Sequence, residues 1–287
     1  MDEAARARLH EEYFGHRHET VIEPARGWRM LDLRELWAYR ELLWVLAGRD
    51  VRVRYKQTVL GAGWAVLRPV LTMLVFSAVF GALAGVPSDG YPYPIFVYSA
   101  LLPWTFFATA LAAAGGSVVG SAQLVTKVYF PRLVVPLASI GAALVDLAVS
   151  TLVLLAMMAW YGVGWTAQLA AAPLLYLGVV FAALGAGTLL AALSVAYRDI
   201  HHLTPFVVQL WMYATPVIYP TSLVPERWRP LLYLNPMTGL VDGFRSAFLG
   251  KPFDGAALAA SAAISLVLFA AGVAYFERVE RRFADVI

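Results

Sequence analysis

Four basic side chains, Arg49, Arg52, Arg54 and Lys56, crowd the segment RDVRVRYKQTVLGAGW. Guanidinium and ammonium groups at this density bind phosphate, so the run could hold anionic lipid headgroups or a phosphorylated lipid substrate. Taken alone it reads first as a topology anchor, because basic residues beside a membrane span keep that flank cytoplasmic. Arg68–Pro69 follows in the first turns of the next apolar run, where an arginine has to face protein, water or headgroups. Asp146 is the clear carboxylate candidate deep in an apolar run, open to a proton relay or to a structural hydrogen bond with a neighbouring helix. His201 and His202, in AYRDIHHLTPF, would point about 100° apart on a helix and cannot easily share one metal. The chain has no cysteine, so no thiolate metal site or disulfide framework is available. No metal site is expected. No G-x-x-x-x-G-K-[ST] phosphate loop, nucleophile elbow, zinc-ligand helix or suitable carboxylate pair occurs, so nucleotide hydrolysis has to be supplied by another polypeptide.

The elements that carry these residues are membrane spans. Six apolar stretches, near Trp64–Gly85, Ile95–Gly116, Leu133–Trp160, Leu169–Ala196, Phe206–Tyr219 and Gly255–Phe276, are separated by short polar breaks. A hydrocarbon core of about 30 Å needs about 20 apolar residues per helix, and most of the runs reach that length. With 60% hydrophobic and 14% charged residues and a mean hydropathy of +0.67, too little polar surface remains to clothe a soluble globule. The fold class is therefore an all-α polytopic membrane protein with six transmembrane helices. The fifth run is short and Pro205, Pro216 and Pro220 bracket or interrupt it, so its ends are loosely defined. Residues 1–30 carry no apolar core with a cleavage site, and no cleaved secretory signal is expected.

Twelve of the 22 Lys and Arg residues precede Pro69, and Lys127, Arg132, Arg198, Arg278, Arg281 and Arg282 fall on the same side of a six-span arrangement. The opposite side receives the base-free loops Val86–Pro94 and Tyr161–Gln168 and only four bases, in Pro220–Asp254. Short loops rich in Lys and Arg stay inside, so both termini are expected in the cytoplasm.

Between the spans, three segments stand out. Residues from about Trp28 to Val51 read as an amphipathic helix with Leu33, Leu36, Trp37, Trp44, Ala47 and Val51 on one face. It is too charged to span, and either lies along the cytoplasmic membrane surface or packs on the protein's own cytoplasmic face. Arg40 interrupts the apolar face unless it snorkels. In SAQLVTKVYFPRLVVP, Ser121–Pro136, a short cytoplasmic helix broken by Pro131 would project between two spans, either toward a soluble partner or as a plain loop. Pro220–Asp254 mixes aromatics with Pro225, Pro230 and Pro236 and fits a pair of short helices dipping into the outer leaflet as a gate, or an aromatic belt at that interface. Aromatic residues make up 13% of the chain and cluster as Trp104, Phe106 and Phe107 and as Trp211, Tyr213 and Tyr219. Such faces can stack on sugar rings, and they also serve core packing.

With these features in place, the chain from about Arg49 to Ile287 resembles the membrane subunit of a type-2 ATP-binding-cassette exporter of the polysaccharide family, which exports O antigen, capsular polymer or teichoic acid. The resemblance is carried by RDVRVRYKQTVLGAGW, ALLPWTFF, TKVYFPRLVVP, AYRDIHHLTPF, ATPVIYP, NPMTGLVDGFR and ERRFADVI, taken in order against the spans. It implies a homodimer with two separate ATPase subunits that bind ATP and Mg, this chain holding no cofactor. It also implies a glycan on an undecaprenyl diphosphate carrier as substrate, a place in the bacterial cytoplasmic (inner) membrane among its lipids, and no nucleic-acid partner. By the same likeness Arg49, Arg52, Arg54 and Lys56 lie where the lipid diphosphate enters. Lys127, Tyr129 and Arg132 sit on the coupling helix that meets the ATPase. Trp104, Phe106, Phe107, Trp211, Tyr213 and Tyr219 match the channel lining, and Trp228, Tyr233, Asn235 and Phe244 the outer gate.

The expected organisation is a cytoplasmic tail 1–27, an interfacial helix and basic linker 28–61, the six-span domain 62–277 and a C-terminal tail 278–287. Two other functions compete. A drug or small-lipid exporter permease of the same superfamily would share the spans but bind one compact molecule. A membrane-embedded transferase would need acidic or histidine clusters at one face, for which Arg198–His202 and the pair Asp242/Arg245 are the candidates.

Overall fold

The computed structural model describes residues 33–56, 63–197, 199–280 and 283. The expected tail 1–27, the end of the basic linker, Arg198, Arg281, Arg282 and residues 284–287 lie outside the described residues. Every described element is helical: α1 (Leu33–Ala38), α2 (Arg40–Tyr55), α3 (Gly63–Phe76), α4 (Tyr93–Gly120), α5 (Ala122–Lys127), α6 (Val134–Ser139), α7 (Gly141–Trp160), α8 (Ala172–Ala196), α9 (Asp199–Ala214), α10 (Arg229–Tyr233), α11 (Pro236–Leu249) and α12 (Gly255–Glu280).

Among the described residues, five stretches are long and apolar enough to cross a membrane: Gly63–Leu83, Tyr93–Gly120, Val134–Trp160, Ala167–Ala196 and Gly255–Glu280. The first is α3 continued by a π-helical turn, Ser77–Leu83, and the third joins α6 and α7. The apolar run Phe206–Tyr219 behaves differently. It enters the 16-residue α9, about 24 Å long, and the helix stops at Ala214 because Pro216 and Pro220 cannot donate the next backbone hydrogen bonds. The last helix runs to Glu280, four residues beyond the apolar run that predicted it.

α4 is the spine. Most of its residues from Ile95 to Val118 are buried, against α8 on one side and α7 and α11 on others. α8 and α12 cross closely, where a Cβ on Gly272 would meet the Gly185 carbonyl and Thr188 Oγ1. Helix backbones approach this closely only through small residues, and in lipid such packing carries the association that water would otherwise drive. α11 is buried over nearly its whole length between α4, α8 and α12.

α1 and α2 are separated by a break at Tyr39. The break gives Arg40 a local partner, since its Nη1 donates to the Trp37 carbonyl and its guanidinium lies 5.3 Å from the Trp37 ring centre. α2 packs on α6 and α7 through Leu46 and Ala47, while Trp37, Trp44, Val45 and Val53 are exposed. One end of the protein, here the basic end, thus gathers α2, α5, the end of α4 and the end of α12; Leu46, Val118, Phe130, Val134, Phe276 and Phe283 share its apolar cluster. The far end carries the Asp89–Gly90 turn, with φ of 51° and 86°, and the segment from Thr215 to Asp254. Asp-Gly is the pair that tolerates successive positive φ angles.

Candidate functional site

At the basic end, the last two turns of α2 present the four cations in different states. Arg49 pairs with its neighbour Asp50 at 2.9 Å. Arg52 donates through Nε to the Gly48 carbonyl at 3.1 Å, and Lys56 is exposed. Arg54 turns inward and its Nη1 meets Asp146 Oδ2 on α7 at 2.5 Å. Tyr55 donates its hydroxyl hydrogen to the other Asp146 oxygen. The sequence had left Asp146 without an evident partner; it stands in the second turn of α7, beside the end of α2, and has two. A cavity of about 410 Å³ opens beside these groups, between α2, α4, α6 and α7, with Arg49, Arg54, Ser117 and Ser139 in its lining.

The segment after α4 divides by direction. Lys127 ends α5 exposed, and Tyr129, 60% exposed, follows the extended Val128 just beyond the helix. Its hydroxyl is pushed up by partial burial and by Glu35, Tyr39 and Glu280 nearby. Arg132 instead points back, and its Nη1 donates to the Glu280 carbonyl at the end of α12. Arg132 therefore ties α12 to the α5–α6 connection, while Lys127, Val128 and Tyr129 are exposed.

The aromatic residues close on each other. Phe107 and Trp211 rings stand 5.0 Å apart, Trp104 and Phe107 5.6 Å, and Trp104 and Trp211 6.5 Å. Trp104, Phe106 and Phe107 are buried within the chain, whereas Tyr213 is exposed and Trp211 and Tyr219 are half-buried. Trp211 is fixed from the far side by its Nε1, which donates to Asn235 Oδ1 at 2.9 Å. The same oxygen accepts from the Met237 amide, capping α11, and Asn235 Nδ2 donates to Thr215 Oγ1. Asn235 thus joins the start of α11 to the end of α9. Phe244 is buried, Trp228 is exposed and Tyr233 hydrogen-bonds Asp254 at 2.6 Å. That bond pushes the Tyr233 hydroxyl up and, with the Ala256 and Ala257 amides, holds Asp254 below the usual carboxylate range.

Arg245 is the residue whose role the sequence did not reveal. It had been paired with Asp242 as a candidate for transferase chemistry. Asp242 instead accepts from Thr221 Oγ1, and Arg245 is completely buried. Its Nη1 donates to the Pro216 and Tyr219 carbonyls at 2.6 and 3.2 Å and its Nη2 to the Val217 carbonyl at 2.6 Å. Its guanidinium carbon lies 3.8 Å from the Phe96 ring centre. The signal was present in ATPVIYP: two prolines in five residues leave carbonyls without helical donors, and those carbonyls need a donor with several N–H groups.

Nearby, Lys251 pairs with Asp89, which also accepts from Ser222 at 2.9 Å. Burial would raise the Asp89 carboxyl, but these bonds and the charges of Lys251 and Arg245 hold it below its ordinary value. Tyr91 donates to the Leu249 carbonyl and Tyr93 to that of Ile218, completing a polar closure of the far end. His201 and His202 stand exposed on the first turn of α9, His201 beside Gly116 of α4. Among the described residues, no three His, Asp or Glu side chains group as metal ligands would.

A bundle of long apolar helices around a buried spine, with a basic run at one end and a polar closure at the other, is the architecture of a multi-pass membrane protein. Residues 41–249 match the ABC-2 type transporter family, and the chain belongs to it. It is a multi-pass inner-membrane transport subunit rather than an enzyme, of a class that works with separate ATPase subunits. Among relatives, it is 34% identical over 260 residues to the O-antigen export system permease protein RfbA of Myxococcus xanthus, covering 89% of this chain and 98% of that protein. It is 25% identical to the protein of the same name from Klebsiella pneumoniae, over 86% of this chain and 95% of the other. The polysialic acid transport protein KpsM of Escherichia coli is 22% identical over 79% of this chain and 89% of its own length.

Proposed function

We propose that this chain is the permease of an ATP-driven exporter that threads undecaprenyl-diphosphate-linked polysaccharide, O antigen or a similar polymer, across the cytoplasmic membrane. The observation that carries this reading is the end-to-end similarity to an O-antigen export permease, at 34% identity over 98% of that protein. A polymer of many sugars has to pass along a continuous path, and a homodimer supplies one between its two protomers. α9 has no buried residue and exposes Tyr213 beside the half-buried Trp211, which supports this helix and its aromatics as part of the path, with Trp104, Phe106 and Phe107 bracing them from behind.

α9 is also the sixth crossing. Its start lies beside Gly116 and the stretch after its end beside Tyr93, at opposite ends of α4, about 35 Å apart. The asymmetry of basic residues supports both termini in the cytoplasm. In that orientation α1 and α2 form the interfacial helix pair, with Trp37 of α1 and Trp44 of α2 outward, and the basic run Arg49–Lys56 receives the lipid diphosphate. Lys127 and Tyr129 form the coupling contact with the ATPase, and Arg132 relays that contact to α12. α10 and α11 form the outer gate, with Trp228 at its surface, Tyr233 and Asn235 as its polar ties and Phe244 in its packing. ATP and Mg are bound by the partner subunits.

The test is depletion of this chain in its host. Surface polysaccharide should fall while undecaprenyl-diphosphate-linked polymer accumulates inside, and the plasmid-borne chain should restore export. Unchanged surface polymer on depletion would contradict the proposal.

A further inference from the structure

We propose that Asp146 sets a charge threshold for the headgroup taken up at the basic end, so that the site accepts a lipid diphosphate and passes over lipids bearing a single charge. This rests on the reading of Arg49–Lys56 as the place where the phosphorylated lipid enters.

The cavity beside α2 has the volume of a small-ligand site, about 410 Å³. Gly116, Ala138 and Ala142 keep it open and Ser117, Ser121 and Ser139 bring hydroxyl groups to its lining. Both arginines that line it are already opposed, Arg49 by Asp50 at 2.9 Å and Arg54 by Asp146 at 2.5 Å. At rest its charges cancel. A ligand gains Arg54 only by displacing Asp146, and the displaced group is itself a carboxylate with a short, charge-assisted bond. A phosphodiester headgroup offers one charge, no more than Asp146 already supplies. A diphosphate offers two, spread over oxygens that can engage Arg49 and Arg54 together through their planar forks.

The arrangement behind Arg54 lets this exchange occur without stranding the carboxylate. Asp146 does not line the larger cavity. It faces a smaller one of about 20 Å³ between α4 and α7, with Thr105, Thr109 and Ser150, room for about one water. Tyr55 donates to Asp146 Oδ1, the oxygen that Arg54 does not use, so Asp146 has a second partner besides Arg54. Asp146 is therefore the internal competitor against which the headgroup is weighed, and the residue that distinguishes a diphosphate from the phospholipids around it.

The test compares binding of farnesyl diphosphate and farnesyl methyl phosphate, a phosphodiester with a single charge on the same lipid, to the purified permease–ATPase complex in phosphatidylcholine nanodiscs. The native complex should prefer the diphosphate, and Asp146→Asn should narrow that preference about tenfold, equivalent to about 1.4 kcal/mol, by strengthening phosphodiester binding. Doping the discs with phosphatidylglycerol should compete in Asp146→Asn and not in the native complex; equal competition in both overturns the threshold. Should Asp146→Asn fail to assemble, Arg54→Lys, which keeps the charge and loses the fork, should narrow the preference in the same direction. A preference unchanged in these variants, while Arg49→Gln/Arg52→Gln/Arg54→Gln loses binding, removes the role of Asp146 and leaves the uptake reading intact. No diphosphate binding by the native complex, or none lost in the triple variant, removes both.

Discussion

Replacing Arg245 by methionine, which is flexible and apolar, separates the two forces acting on a completely buried guanidinium. The change deletes the two 2.6 Å bonds to the Pro216 and Val217 carbonyls, each of about 1.5–3 kcal/mol for a charged donor. It also deletes the weaker bond to Tyr219 and the Phe96 ring contact at 3.8 Å, which adds about 2 kcal/mol when desolvated. In the opposite direction, methionine relieves several kcal/mol spent keeping a cation out of water. The carbonyls decide the sign. Pro216 and Pro220 prevent the stretch from closing its own helical bonds, so the acceptors stay buried without donors at about 1–3 kcal/mol each. A net loss of about 3 kcal/mol is expected, at the lower edge of the range for breaking a buried charged network. At about 2–4 °C per kcal/mol, the midpoint falls by roughly 6–12 °C. The assay is thermal challenge of the detergent-solubilised chain followed by size-exclusion chromatography. Arg245→Lys, with three donors on a point charge, should fall between the two. A methionine variant as stable as the native chain would mean that desolvation outweighs the carbonyl bonds, and the clamp would be refuted.

Other expectations follow from the same geometry. Lys127→Ala and Tyr129→Ala should lower export-coupled ATP hydrolysis while leaving thermal stability unchanged, whereas Arg132→Ala should also lower stability, by about 1 kcal/mol or more, because it frees the Glu280 carbonyl; unfolding midpoints and coupled ATPase rates of the three variants check this. Asp89 has a lowered folded value, so its contribution is present above the ordinary carboxylate value near 3.9 and is lost as pH falls through the folded one. Asp89→Asn should therefore be less stable than the native chain at neutral pH, by about 1 kcal/mol, and the two should converge in strong acid; a gap independent of pH would show that the ion pair is not its source. Gly272→Ala should sharply reduce the yield of folded chain because its Cβ would strike the Gly185 carbonyl, whereas Gly255→Ala, which meets nothing within 4 Å, should be neutral; equal yields would show that the crossing has slack.

Hydropathy alone located the long helices, because a span has to be a run of about 20 apolar residues whatever it packs against. α9 is where that signal faded: its prolines shorten the helix, and what holds its end is an arginine more than 25 residues later. The short helix after α4 was legible from the polar break and Pro131, but the inward turn of Arg132 was not, since its acceptor is a backbone carbonyl 148 residues away. Asp146 stood out as a carboxylate in an apolar run, while its partners lie 92 and 91 residues earlier on a different element. The aromatic clusters were recognised as clusters, yet which rings are buried depends on α4 being wrapped by α8, α7 and α11, and helix arrangement of that kind leaves no periodic trace in a helix that is apolar all round.

The most direct test of the account is purification of the tagged chain from its host, with mass spectrometry of what comes with it. A cassette ATPase together with undecaprenyl-diphosphate-linked polysaccharide is the predicted result; an ATPase accompanied only by small lipids or drugs, or no ATPase at all, would contradict it.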